Sequence, residues 1–196
     1  MKSVEIYTKN QIDKLGNTLI FLCEKMVPIS KTHLLKLVFI IEDISIKKFG
    51  IPFFDLRFDV WKLGPVSKDL FVEFSGEPTL LADYLFKETR NDNSFIIPKK
   101  KFSDDEFNDN EIALLNEISQ RFSYCSAQEL VNFTHRKGSP WYNTAVKHGI
   151  LELLETGKIT TTDIEIKLYE FIDDDRKLAI YENHKEFLSV SKSLKF

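Results

Sequence analysis

Leu34-Leu35-Lys36-Leu37-Val38-Phe39-Ile40-Ile41-Glu42-Asp43-Ile44-Ser45-Ile46-Lys47-Lys48-Phe49-Gly50 is apolar at positions 34, 35, 37, 38, 39, 40, 41, 44, 46 and 49. A run of this kind predicts a helix buried on most of its sides. Ser30 stands where an N-cap belongs, and Gly50 supplies the stop, because glycine readily takes the left-handed conformation that ends helices. Glu42 and Asp43 interrupt the apolar surface. At least one of them must face the core or its rim, where an ionised carboxylate is costly unless Arg, Lys or backbone amides satisfy it. Lys36, Arg57 and His135 are the side-chain candidates for that pairing. Burial can also tune a carboxylate as an acid, although structural pairing is the commoner outcome.

On the N-terminal side, Ile12, Leu15, Leu19, Leu22, Cys23 and Met26 recur at three- and four-residue spacing, predicting an amphipathic helix that ends before Pro28. On the C-terminal side, Leu56, Phe58 and Val60 alternate with Arg57 and Asp59, as in a short half-buried strand running into the Gly64-Pro65 turn. Helices are expected over 66–74 and 78–87, with a turn at Asn91-Asp92-Asn93-Ser94. Phe95-Ile96-Ile97-Pro98 is expected to pair with the earlier strand, giving a β-ribbon from residues 56–63 and 94–98. Residues 99–110 form a charged surface connection, followed by a helix to Phe122 with Ile112, Leu115 and Ile118 in line.

Ser126 and Glu129 have capping-box spacing, and Ser139-Pro140 is an N-cap and N1 pair that places Trp141 in a first helical turn. Beyond Gly149 come Leu151, Leu153 and Leu154, then a helix expected to open at Thr162 or Asp163 and run to Ile172. Asp173-Asp174-Asp175 breaks or caps the chain before a last helix. The expected fold is mainly α, a compact bundle of about eight helices with that short ribbon. Its expected division is a helical domain over 1–148 and a C-terminal helical extension over 149–196, packed on it.

Composition narrows the function. The 196 residues are 43% hydrophobic and 29% charged, ordinary for a globular chain, but 17 are phenylalanine, so a ring-rich core is expected. The net charge is −3. The tight basic run Lys99-Lys100-Lys101 is answered by Asp104-Asp105-Glu106, which argues against nucleic acid as the main partner. Cys23 and Cys125 read as buried free thiols in a reducing compartment. No stretch approaches the roughly 18 apolar residues that span a membrane, and Leu19-Ile20-Phe21-Leu22 is too short for a signal peptide. A cytoplasmic protein is expected.

The sequence carries no recognisable catalytic or metal-binding motif. His33, His135, His148 and His184 have no partner at metal-ligand spacing, and neither HExxH nor CxxC occurs. There is no GxSxG, no GxGxxG and no GxxxxGK. No catalytic residue, cofactor or metal site is therefore expected, and the chain is expected not to be an enzyme. His135, near a helix C-terminus, suits bonding to the last carbonyls. Trp141 reads either as core or as a binding anchor.

Three blocks together resemble a known family. Lys36-Leu37-Val38-Phe39-Ile40-Ile41-Glu42, ending in Phe49-Gly50, is similar to the apolar helix with an interior acid that opens the Panacea domain of SocA-like antitoxins. Phe58-Asp59-Val60-Trp61-Lys62-Leu63-Gly64-Pro65-Val66 resembles that family's aromatic–small–Gly-Pro-Val signature. Ser126-Ala127-Gln128-Glu129-Leu130, then Thr134-His135 and Pro140-Trp141, resemble its closing helix and Pro-Trp step. The resemblance covers residues 15–148. It departs at Glu42, where Asp is expected, at Val60, where Ala is usual, and at Asp55, where the turn often has Gly.

The resemblance implies a bacterial or phage antitoxin that neutralises a cognate toxin by direct binding. At least one family member delivers its toxin to a protease, so a protease is a second implied partner. No cofactor and no catalytic residue come with the family. Glu42, Gly64, Pro65, His135 and Pro140 are then structural members of the motif. Trp61, Lys62 and Trp141 are the candidate partner contacts, Trp61 because it stands opposite Val60 on a period-two strand. Two other readings stay open. A winged-helix-like nucleic-acid-binding regulator would use Lys99, Lys100, Lys101, Arg136, Lys137 and Lys147, and an unrecognised enzyme would centre on Glu42 and His135.

Overall fold

A computed structural model describes residues 7–26, 29–90 and 93–193. Among them are eight α-helices and two separate two-stranded antiparallel sheets, a mainly α fold with short ribbons as expected. The chain divides into two compact units, one of residues 1–37 and 68–130, the other of residues 38–67 and 131–196.

The first unit begins with α1 (Lys9–Lys25), whose N-terminus is closed by a reciprocal capping box between Thr8 and Gln11. Residues 15–23 of α1 are buried on every side, with Leu19, Ile20 and Leu22 inaccessible to solvent, where one apolar face was expected. α2 (Lys31–Phe49) contributes its first two turns here, with Leu34 and Leu37 inaccessible to solvent. After α3 (Lys68–Glu73) the expected helix over 78–87 does not form. The Glu73 carboxylate, 8% exposed, accepts bonds from the amides of Thr79, Leu80 and Leu81 and from the Thr79 hydroxyl, holding this stretch as a turn.

β3 (Leu85–Arg90) follows and pairs with β4 (Asn93–Pro98), which corrects the expected partner of residues 94–98. Leu85 and Ile96 share the buried face of this hairpin, and β4 lies against α1, where Cys23 donates its thiol to the Ile96 carbonyl at 3.5 Å. Leu85-Phe86-Lys87-Glu88-Thr89 is a sequence that a helix also accepts, so the pairing across the hairpin decided its state. Residues 91–92 of the expected turn lie outside the described residues.

α4 (Asp109–Phe122) carries a second capping box, Asn108 with Glu111, and Lys14 of α1 pairs with Glu111. α5 (Ala127–His135) starts at Ser126, whose hydroxyl and amide exchange bonds with Glu129 as the spacing predicted. Both cysteines are free. Cys23 is buried, but Cys125 is only half-buried, because it sits in the connection before α5 and not on a packed face.

Gly16 shows how closely α1 is packed. A Cβ at this position would stand 2.3 Å from the Tyr84 ring, whose hydroxyl bonds Asp13 on the same helix. Gly16→Ala should gain helix propensity of about 1 kcal/mol yet lose more through overpacking, for a net destabilisation of about 1–2 kcal/mol. Urea denaturation of the two proteins checks the sign; a stabilised variant would mean that the ring moves aside freely.

The second unit takes the rest of α2, then β1 (Asp59–Trp61), β2 (Gly64–Val66), α6 (Pro140–Lys147), α7 (Leu151–Glu155) and α8 (Asp175–Ser193). β1 and β2 pair in the register Asp59↔Val66, Val60↔Pro65, Trp61↔Gly64. The helix expected from residue 162 or 163 to Ile172 is mostly absent. Residues 160–166 run extended along the other edge of β1, with Lys62 N–H donating to Thr160 O, Val60 N–H to Ile164 O and Ile166 N–H to Phe58 O, at 2.8, 2.9 and 2.8 Å. A single 3-10 turn, Leu168–Phe171, follows. β-branched Thr160, Thr161, Thr162, Ile164 and Ile166 favour this state, and β1 supplies the edge that completes it.

Candidate partner-binding site

In the second unit, the sequence blocks singled out above form one arrangement built from α2 outward. Glu42 is 1% exposed, and its carboxylate takes three backbone amides, Phe53 at 2.8 Å and Phe54 at 2.7 Å on Oε2, and Leu56 at 3.2 Å on Oε1. These bonds fold the chain back after Gly50, whose φ of +70° ends the helix. Of the pairings open to Glu42, backbone amides are therefore the ones used. Burial pushes the carboxyl up to about 7, against the pull of the three amides. Asp43 pairs instead with Lys47, one turn along α2. Asp55 takes φ +59°, a conformation that glycine holds without strain.

Asp59, 1% exposed, receives the Arg57 guanidinium at 3.0 Å from both Nε and Nη2. Sequence pattern did not single out Asp59, because on an alternating strand a polar residue between apolar ones reads as solvent-facing. Trp61 is half-buried; its indole N–H donates to Thr162 O at 3.1 Å. Lys62 is half-buried beside Gly157, and a Cβ on that glycine would come within 2.7 Å of Lys62 Nζ. Gly64 has φ +97°, the left-handed position that returns the hairpin. The tip residue Leu63 is 60% exposed, an apolar side chain standing out from a rigid hairpin. The sequence pattern does not mark Leu63, since alternation assigns it no face once the strand ends.

Trp141 is 2% exposed, and its indole N–H donates to Trp61 O at 2.8 Å. His135 stacks on it with ring centroids 3.8 Å apart and planes 9° from parallel. The ring of Trp141 is therefore enclosed by the protein's own core and presents no surface. The Ser139 hydroxyl caps α6 by accepting from Tyr142 N–H at 3.1 Å and donates to Thr134 O at 2.7 Å, with Pro140 at N1. Among the described residues, no group of three or more His, Cys, Asp and Glu stands as a metal-binding cluster, and no helix is long and apolar enough to cross a membrane.

An interior acid that folds back the chain after a buried helix, a Gly-Pro hairpin and a Pro-Trp helix start define a class of helical domain with a preformed surface hairpin. A model of the antitoxin SocA-like family, Panacea domain, matches residues 34–142, more than half of the chain, and the protein belongs to that family. The match opens on α2 and closes one residue after Trp141, so it holds all three blocks. Membership supports an antitoxin role. No curated protein and no solved structure matches the chain.

Proposed function

We propose that the protein neutralises a cognate toxin by binding it directly, without catalysis, and that the hairpin tip Trp61-Lys62-Leu63 is part of the contact. Family membership over residues 34–142 carries this reading. The tip suits it physically. Leu63 is 60% exposed on a hairpin fixed by the Gly64 backbone and by the Trp61 indole bond to Thr162, so little entropy is lost when a partner covers it. Delivery of the toxin to a protease is a further role that such binding would support.

The test is co-expression with the product of the adjacent gene. That product alone should arrest growth, and co-expression should restore growth and yield a co-purifying complex. Leu63→Asp should leave circular dichroism unchanged and weaken the complex about 30-fold, the loss of a contact worth about 2 kcal/mol. Harmless neighbours and no complex would remove the antitoxin reading. A complex that ignores Leu63→Asp would move the contact elsewhere. If the protein is an adaptor, the toxin's half-life in cells should shorten in its presence.

A further inference from the structure

The C-terminal helix α8 lies outside the family match, and its attachment to the rest of its unit is unlike that of the core helices. No side chain of α8 from residue 175 to 190 is fully buried, and Ile180, Phe187 and Val190 are 43%, 68% and 48% exposed. Leu178, Tyr181 and Leu188 are half-buried along one face, and the remaining anchor points are polar. Asp174 caps the first turn by accepting from Arg176 N–H and Lys177 N–H. Lys177 Nζ donates at 2.9 Å to Lys47 O, a carbonyl in the last turn of α2. The Lys177 carbonyl itself passes 2.4 Å from where a Cβ on Gly50 would stand, so this close approach requires glycine. Two turns further on, Lys185 Nζ meets Asp55 Oδ1 at 2.6 Å, and between them Tyr181 stacks on Tyr169 at 5.4 Å.

Asp55 forms the other side of this contact. It is the one non-glycine with positive φ among the described residues, and its backbone would be less strained as glycine. What the aspartate adds at that point of the turn is the bond to Lys185.

We propose that α8 is a releasable strap over the turn of residues 50–55, and that the Asp55–Lys185 pair is its latch. With no side chain of residues 175–190 fully buried, α8 opens by local unfolding below the free energy of global unfolding. The latch joins side chains 20% and 44% exposed, so salt screens it and opening becomes easier as ionic strength rises. Release uncovers the turn that Glu42 holds in place, without disturbing Glu42's own three bonds. This inference does not depend on the antitoxin reading.

Hydrogen exchange read by mass spectrometry on the full chain tests it. In the wild type, α8 amides should exchange by local opening, far faster than those of α2, and faster still in high salt. In Asp55→Asn and Lys185→Ala, α8 should exchange about two- to fivefold faster, the range expected for losing a half-exposed ion pair, with α2 unchanged. Asp55→Gly separates the latch from the strain. It should leave global stability equal or higher while α8 opens as in Asp55→Asn. Exchange of α8 coincident with α2, or α8 rates untouched by all three substitutions, would overturn the proposal. A parallel loss of protection in α2 would overturn it too; Lys185→Ala, on the exposed end of the pair, keeps that outcome readable if an Asp55 variant fails to fold.

Discussion

Glu42→Ala should unfold about 3–5 kcal/mol more easily than the wild type, the cost of leaving three buried backbone amides without their acceptor. The side chain is 1% exposed and is the acceptor for the amides of Phe53, Phe54 and Leu56. Alanine leaves three donors facing a space too apolar to solvate them, at about 1–3 kcal/mol for each buried group left unmade. Partial relaxation of the turn keeps the total below the sum. Against a typical domain stability of about 5–15 kcal/mol, the loss is large enough to show as a population of unfolded chain at moderate temperature. Urea denaturation with unchanged m-value measures it, and a cost under about 0.5 kcal/mol, the scale of a surface substitution, would refute the role assigned to Glu42.

The same carboxyl has a pH signature. Burial raises it from 4.5 to about 7 in the folded chain, so the folded state holds its proton more tightly than the unfolded state. Its contribution is therefore fully present below 4.5 and is lost as pH rises through about 7. Glu42→Gln, which cannot ionise, lacks this component. The stability difference between wild type and Glu42→Gln should move against the wild type over that window, and parallel profiles would contradict it.

Trp141→Ala should cost about 3–5 kcal/mol of stability, the range for removing a fully buried large aromatic. The substitution opens a cavity beside His135, which loses its stacking partner, and leaves Trp61 O without the indole donor. Trp141→Phe keeps most of the volume and loses the N–H, so about 1–3 kcal/mol is expected. Because the ring is 2% exposed and touches the proposed contact only through the Trp61 carbonyl, the folded fraction of either variant should lose far less affinity than Leu63→Asp does. A variant of native stability that no longer binds would instead make Trp141 a contact and require this part of the fold to open.

These two residues show where local pattern was enough. The buried helix, its Gly50 stop, the capping boxes of Ser126 with Glu129 and the Ser139-Pro140 start were legible because each rests on bonds within a few residues of chain. That Glu42 had to be satisfied was legible as well, since burial of an acid follows from the apolar run around it. Which groups satisfy it was not. The acceptor role depends on residues 53–56 returning past α2, which no spacing encodes.

The same division separates the helices that form as their periodicity predicts from those that do not. Residues 85–90 and 160–166 each carry a composition that permits helix or strand, and each became extended because another strand offered its edge. Trp61 and Trp141 were likewise equivalent as sequence, two aromatics beside turns, yet one is half-buried and the other enclosed. Helix periods, caps, the family signature and the need to pair Glu42 follow from the residue order, because these are short-range consequences of side-chain chemistry. Tertiary structure alone decided the strand partners, the exposure of Leu63 and the attachment of α8 to Asp55, because these depend on which distant backbone arrives to complete a hydrogen bond or close a face.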